Sequence, residues 1–214
     1  MKRKTLDIIV GAGLVILAGL LLVAGLVLTS NANFAKNYVK DQLSQQQISF
    51  KTADTLTPEE KESACLVKYA GQQLTTGKQA ECYANEFIGL HLKSIGGGKT
   101  YAQLGDVQTE LKTKIAAAQK ANPDDPAIAD LQKQLTASNT DRETVFKGES
   151  LRGMLLTSYG FSEFGTKAEQ ASLVAYLAAG LLFILGAAGL LHAARTPNSQ
   201  GFAVPEESKS LTSA

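Results

Sequence analysis

Two long apolar runs lie near opposite ends of the sequence. The first, Ile8–Leu28, contains no charged residue, and the second, Ala171–Ala194, has only Tyr176 and His192 as ionisable side chains. A helix rises 1.5 Å per residue, so each run is long enough to cross a hydrocarbon core of about 30 Å. A helix also satisfies its own backbone hydrogen bonds in lipid. We therefore predict transmembrane helices at 8–28 and 167–194.

A cleaved signal peptide is the alternative interpretation of the first run. Met1-Lys2-Arg3-Lys4 resembles a basic leader, and Ser30-Asn31-Ala32 resembles a small-residue cleavage site. The apolar part of a signal peptide usually has about 7 to 15 residues, fewer than this run has. The length favours an uncleaved anchor.

Basic residues beside the apolar runs predict the orientation. Lys2, Arg3 and Lys4 precede the first run and Arg195 follows the second, and lysine and arginine are retained on the cytoplasmic side. We expect a cytoplasmic N-terminus (1–7), an extracytoplasmic domain (29–166) and a cytoplasmic, disordered tail (195–214). The expected location is the cell membrane, with both termini inside.

Helical spacing continues between the two runs and predicts an all-α fold, in which two transmembrane helices flank a mostly helical domain. Pro58 after Thr57, Gly71, and Asn122-Pro123 mark helix starts and stops. The predicted helices cover 33–47, 57–70, 78–95 and 100–122, a segment starting at Pro126, and one opening at Thr140. Gly160 is predicted to interrupt the last helix in an aromatic elbow before a new cap at Thr166, and Ile48-Ser49-Phe50 is predicted to be extended.

Small residues recur every seven positions in both apolar runs. A seven-residue repeat keeps one helix face towards a partner, and small side chains allow close approach of helix backbones in lipid. Chance recurrence in segments rich in alanine and glycine is the alternative. The predicted packing seam consists of Gly11, Ala18, Gly25, Ser172, Ala179, Gly186 and Ala193. It predicts that the two runs pack on each other or on another subunit.

Cys65 and Cys82 are the two cysteines, and both belong to the domain predicted to lie outside the cytoplasm. Thiols oxidise readily in that environment, so we predict a disulfide between them. Closing a loop of this size stabilises a fold by about 3 kcal/mol in the chain-entropy model. Two buried free thiols are the alternative.

Charge and candidate chemistry exclude several functions. Residues 29–170 have a net charge of −1 with the two signs interspersed, which disfavours nucleic acid as a partner. Gly98-Lys99-Thr100 ends like a phosphate-binding loop, but Lys93 stands where that motif requires its first glycine. We interpret the glycines before Lys99 as a helix stop.

Histidine is too scarce for an obvious metal or catalytic site. His91 falls in the extracytoplasmic domain and His192 at the cytoplasmic end of the second run, so they are not expected to share a metal. The spacing of His91 from Phe87 and Ile95 indicates a packed, hydrogen-bonded side chain. The pairs Glu59/Glu60 and Asp124/Asp125 suit helix starts. We predict no catalytic residue, metal ligand or cofactor.

Four segments carry a resemblance to a known family: 68–73, 83–92, 98–101 and 146–156, read as KYAGQQ, YANEFIGLHL, GKTY and FKGESLRGMLL. They resemble uncharacterised two-pass membrane proteins of actinobacteria, some of which are called aromatic ring-opening dioxygenases. The resemblance implies a bacterial membrane location. Extradiol ring cleavage requires iron held by two histidines and a carboxylate, and the predicted extracytoplasmic domain has His91 alone.

The end of the predicted last helix offers candidate interaction residues. Glycine costs about 1 kcal/mol relative to alanine inside a helix, so Gly148 and Gly153 suggest close packing or a kink. Arg152 can pair with Glu149 or with an acidic partner. Tyr159, Phe161 and Phe164 are suited to a membrane interface.

These observations predict a non-enzymatic accessory or interaction module of an envelope complex. Membrane lipid and a protein partner or second copy, bound through the transmembrane helices, are the expected partners. A lipid-binding or apolar-ligand-binding module at the outer surface of the bilayer is the alternative. An enzyme is the least supported possibility.

Overall fold

The computed structural model describes residues 2–197 and is helical throughout that range apart from its connecting segments. The helices are α1 (Arg3–Gln45), α2 (Pro58–Lys61), α3 (Ala64–Tyr69), α4 (Gly77–Cys82), α5 (Gly89–Ser94), α6 (Tyr101–Ala121) and α7 (Ala127–Arg195). A π-helix, Tyr83–Ile88, joins α4 to α5, and a 3₁₀ turn, Ile95–Gly98, follows α5. The all-helical class is confirmed. The tail predicted to be disordered lies outside the described residues from 198 onward.

The chain forms two compact units. One contains Met1–Asn33 and Thr166–Ala214 and is called here the paired-helix unit; the other, Phe34–Gly165, is called the central domain. Helices α1 and α7 are long and apolar enough to cross a membrane. Their most apolar 18-residue stretches have mean hydropathies of 2.7 and 2.3, and 17% of the residues in each are buried.

Small residues fill the contact between the two helices of the paired-helix unit. All seven positions of the sequence seam are buried. A Cβ added at Gly186 would lie 2.9 Å from the carbonyl oxygen of Gly11, so backbone meets backbone there. At Gly25 the added Cβ would lie 2.6 Å from the ring of Tyr176, whose hydroxyl is 2.9 Å from Thr29 Oγ1.

The core of the central domain joins α1, the short helices and α7. Val39 and Leu43 of α1 and Leu155 of α7 are buried with residues from the intervening chain. Those residues are Phe50, Leu66, Leu74, Ala80, Cys82, Ala84 and Ile88. The predicted extended piece is present: Ser49 forms an antiparallel bridge with Gln73, and the Leu74 amide donates to the Ile48 carbonyl at 2.8 Å.

The prediction of one continuous helix over 57–70 is wrong, because this segment contains two helices, α2 and α3. Thr57 and Glu60 form the capping box that opens α2. Ser63 then adopts extended angles, φ −82° and ψ 108°, and its hydroxyl accepts from the Leu66 amide as the N-cap of α3. A second cap residue thus interrupts a segment whose apolar spacing is continuous.

The breaks predicted near Thr140, Gly160 and Thr166 are also wrong, because α7 continues through all three positions. The hydroxyl of Thr140 donates to the Thr136 carbonyl four residues earlier instead of capping a new helix. No proline occurs between Ala127 and Arg195. A glycine such as Gly160 costs too little to end a helix that packing supports.

Helix α6 and the first part of α7 pack antiparallel in the central domain. Leu104 and Leu111 of α6 and Ile128 and Val145 of α7 are buried. Arg142 lies over the Tyr101 ring, 4.1 Å from its centroid, and donates to Gln108 Oε1 at 2.9 Å. The predicted helix start at Thr100 is present as a capping box with Gln103.

Candidate functional site

An apolar groove opens on the surface of the central domain between the last turns of α1 and residues 151–161 of α7. Its cavity volume is about 430 Å³. It is lined by Tyr38, Val39, Gln42, Leu43, Gln46, Ile48, Leu151, Met154, Leu155, Thr157, Ser158 and Phe161. We refer to this surface as the apolar groove.

The floor of the apolar groove is core, whereas its walls are exposed. Val39, Leu43 and Leu155 are 2% to 3% exposed. Beside them, Met154 is 68% exposed and Leu151 is 40% exposed. A closed domain normally covers such side chains, and a concave apolar surface with a few polar groups at its rim is typical of a binding site.

Aromatic rings stand at the Tyr38 end of the apolar groove. The Tyr38 and Phe161 rings meet edge to face at 5.9 Å, and Phe34 stacks on Tyr38 at 5.7 Å. Phe164, one turn further along α7, is 76% exposed. The sequence named Phe161 and Phe164 as candidates for interaction; the structure places Phe161 in the groove and leaves Phe164 outside it.

A buried carboxylate, that of Glu60, lies at a polar site outside the apolar groove. Glu60 is fully buried, and its Oε2 accepts from the Thr57 amide at 2.8 Å to complete the α2 cap. Its Oε1 accepts from Lys51 Nζ at 2.8 Å and lies 3.5 Å from His91 Nε2. Thr57, Glu60 and His91 also line a cavity of about 330 Å³.

The surroundings of Glu60 keep it ionised. Burial has the largest single effect and would raise the pKa of this carboxyl. Hydrogen bonds from Lys51 and the Thr57 amide, with the charges of Lys51 and His91, together lower that pKa below its ordinary value of 4.5. Both carboxylate oxygens have partners, so the arrangement is that of a structural ion pair.

His91 occupies a more open position than the spacing indicated. Its side chain is 47% exposed, so the inward-facing position expected from the spacing is wrong, but its ring does pack on that of Phe87, with the two centroids 4.5 Å apart. Its predicted hydrogen bond is present, because Nδ1 lies 2.7 Å from the Phe87 carbonyl oxygen. The π-helix, Tyr83–Ile88, shifts the helical register just before His91.

The two cysteines lie at disulfide distance. The Cys65 and Cys82 sulfur atoms are 1.99 Å apart, which joins α3 to α4. Nearby, Lys78 at the start of α4 donates to the Tyr159 hydroxyl at 3.0 Å and lies 3.3 Å from Glu81. The Tyr159 bond first, and then the neighbouring carboxylates, raise the pKa of Lys78.

The other candidates on α7 serve different purposes. A Cβ at Gly148 would lie 2.5 Å from Leu92 Cδ2, whereas Gly153 has open space around it. Arg152 pairs locally with Glu149 at 3.3 Å and also donates to Asn85 Oδ1 at 3.2 Å. Gly148 therefore allows close packing, and Arg152 links α7 to the π-helix.

Sequence reasoning missed the apolar groove and the link between Lys51 and Glu60. The capping-box pattern identified the Glu60 position, but nothing in the spacing pointed to Lys51 as its partner. No group of three or more histidine, cysteine, aspartate or glutamate side chains that could hold a metal occurs within residues 2–197.

Comparison of the chain with protein-family models, with curated proteins and with solved structures finds no match.

Proposed function

We propose that the chain is a non-enzymatic, two-pass protein of the bacterial cell membrane whose central domain lies outside the cytoplasm. There it serves as an accessory module that binds an apolar surface of a partner in an envelope complex. Both termini are cytoplasmic in this proposal. The apolar groove is the single observation that carries the binding role.

The exposed surface of the paired-helix unit supports the membrane location. Ile16 and Ile184 are each 66% exposed, and Leu20 is 63% exposed. The core helix of a soluble protein would bury such side chains, whereas lipid accepts them. The Cys65–Cys82 pair suits an oxidising compartment, and the basic residues at the outer ends of the apolar runs suit the cytoplasm.

Exposure of the groove walls supports a protein partner. Leu151 and Met154 are exposed although the adjacent core is closed, so incomplete packing does not explain them. An amphipathic helix recognises such a groove by inserting apolar side chains at helical spacing. Aromatic and methionine side chains are enriched in contacts of this kind.

Site-specific photocrosslinking at native expression tests this function. A photoreactive residue at Met154 should yield one stoichiometric adduct, either with another envelope protein or with a second copy. The same residue at Gln132, which is exposed on α7 outside the groove, should yield none. A clean monomer with both probes would contradict the proposal.

A lipid or another apolar small molecule is the second candidate for the groove, and its volume favours this alternative. Ligand pockets usually measure about 300 to 1,000 Å³, and the groove falls in that range at about 430 Å³. Native mass spectrometry should then show a retained small molecule on the wild-type chain. Leu151→Asp should release it, while a matched Gln132→Asp variant should retain it.

A further inference from the structure

A separate cavity of the central domain gathers positive charge. It has a volume of about 240 Å³ and lies where the end of α5, the start of α6 and α7 meet. Lys93, Lys99 and Arg152 line it, together with one carboxylate, that of Glu149. Three cations and one anion leave the lining with two unbalanced positive charges.

The two lysines lack internal partners. Within residues 2–197, neither Lys93 nor Lys99 has a carboxylate at ion-pair distance or a side-chain hydrogen bond. Other lysines of the domain, such as Lys51 and Lys78, do have such partners. The charges of Lys93 and Lys99 are therefore available to a ligand.

Hydrogen bonds hold the Arg152 side chain in place, although one of its donors has no partner within residues 2–197. Its Nη1 lies 3.3 Å from Glu149 Oε2, and its Nη2 donates to Asn85 Oδ1 at 3.2 Å. Its Nε is buried and has no hydrogen-bond partner among the described residues. The guanidinium group also lines the cavity and adds its positive charge there.

The glycine segment brings the two lysines to the same cavity. Gly96, Gly97 and Gly98 all adopt left-handed angles, with φ of 58°, 67° and 74°. Such angles are routine for glycine and unfavourable for other residues. They reverse the chain between Lys93 and Lys99, and a Cβ at Gly98 would lie 3.2 Å from the Lys93 carbonyl oxygen.

We propose that this cavity binds a phosphoryl group. Two unbalanced positive charges match a phosphate dianion, and guanidinium and ammonium groups donate charge-assisted hydrogen bonds to phosphate oxygens. The group comes either from free phosphate or from a lipid headgroup that ends in a phosphate, such as that of phosphatidic acid, since both present the same oxygens and charge. This site is independent of the apolar groove.

Thermal unfolding of the full chain in nonionic detergent tests the proposal. Inorganic phosphate, exchanged for chloride at constant ionic strength, should raise the melting temperature saturably. The double variant Lys93→Gln/Lys99→Gln should weaken the apparent affinity about tenfold or more. These lysines have no internal partner, so their replacement should leave the fold intact.

The matched control is Lys112→Gln/Lys133→Gln, which removes the same charge from exposed positions outside the cavity. It should respond to phosphate like the wild type. An equal loss in both double variants, or no saturable response in the wild type, would overturn the proposal. Arg152→Gln should also abolish the response, but it removes structural bonds and is therefore the secondary variant.

Lipid nanodiscs identify the source of the phosphoryl group. Discs of phosphatidylcholine alone should preserve the response to free phosphate. If a lipid headgroup occupies the cavity, discs containing phosphatidic acid should abolish the response in the wild type; if free phosphate is the ligand, the response should persist. Each result supports the cavity's chemistry, whereas a response unaffected by Lys93→Gln/Lys99→Gln in either disc would contradict it.

Discussion

In the paired-helix unit, backbone approaches backbone: a Cβ at Gly186 would lie 2.9 Å from the Gly11 carbonyl oxygen. In the central domain, the short helices are held by specific bonds instead, namely the link between Cys65 and Cys82 and the hydrogen bonds of the buried Glu60 carboxylate. Lipid tails are as apolar as leucine, so burial of apolar side chains does not drive helix pairing in a membrane. Close van der Waals packing between the helix backbones provides the stabilisation there. Short helices in water need staples and caps, because four or six residues form few internal hydrogen bonds.

The largest effect should come from removing the disulfide. Replacing both Cys65 and Cys82 by serine should lower the free energy of unfolding of the central domain by about 3 kcal/mol, because the unfolded loop is no longer constrained. Thermal unfolding of the full chain in detergent measures it. Chemical reduction of the wild type should have a similar effect, and an unchanged melting temperature would show that the short helices do not need the staple.

Loss of the buried carboxylate should have the next largest effect. Glu60→Ala removes the partner of Lys51 and the acceptor of the Thr57 amide, at a cost of about 2 to 3 kcal/mol. Glu59→Ala is the matched control, because Glu59 is exposed in the same helix and should cost only a few tenths of a kcal/mol. Equal losses in chemical denaturation would mean that capping alone explains both positions.

The pH dependence of Glu60 follows from its lowered pKa. The folded pKa lies below the ordinary value of 4.5, so the stabilisation is fully present above about pH 4.5. It is lost as the pH falls through the folded pKa. The stability difference between the wild type and Glu60→Gln should therefore shrink below pH 4.5, as followed by urea unfolding at several pH values. A constant difference down to pH 3 would contradict the ion-pair account.

Substitution of a seam glycine should destabilise the helix pair wherever the backbone of the other helix lies opposite that glycine. Gly186→Ala should destabilise the helix pair by about 1 to 3 kcal/mol, since the added Cβ meets the Gly11 carbonyl and cannot be accommodated by rotating a side chain. Gly180→Ala is the control, because nothing lies within 4 Å of its Cβ. Energy transfer between labels at positions 4 and 196, during titration with SDS, reports separation of the helices. Equal midpoints for the two variants would contradict the seam.

The smallest predicted effect is a difference in stability between alanine substitutions at two glycines of α7, Gly153 and Gly148. Gly153→Ala should stabilise the central domain by about 0.5 to 1 kcal/mol, because alanine is the better helix former and the site is open. Gly148→Ala should lose that gain, because its Cβ displaces Leu92. Melting temperatures of the two variants measured side by side would detect the difference, and equal gains would show that Leu92 moves freely.

The regular features of this chain could be predicted from its sequence. The long apolar helices, the Thr57 and Thr100 capping boxes and the helix stop at Gly71 depend on neighbouring residues, which one sequence displays. The continuity of α7 could not be predicted, because Thr140 has the pattern of a cap but bonds back to Thr136. Local patterns permit both arrangements, and packing decides between them.

The candidate sites depend on contacts that are distant along the chain. Lys51 approaches Glu60 only after the chain turns between them, and Arg152 reaches Asn85 across 67 residues. The apolar groove combines α1 with α7 in the same way. Hydrophobic periodicity and composition carry no information about such pairs. Arg152 and Phe161 could therefore be identified as candidates from the sequence, but the residues that they contact could not.

The proposed membrane topology can be tested by measuring on which side of the membrane the central domain lies. Intact cells are treated with a membrane-impermeant maleimide, with or without a membrane-impermeant reductant. Cys65, the less buried of the two, should be unreactive without the reductant and labelled after it, whereas a cysteine placed at position 4 should react only after lysis. Labelling of Cys65 without reductant, or only in lysed cells, would contradict an oxidised central domain outside the cytoplasm.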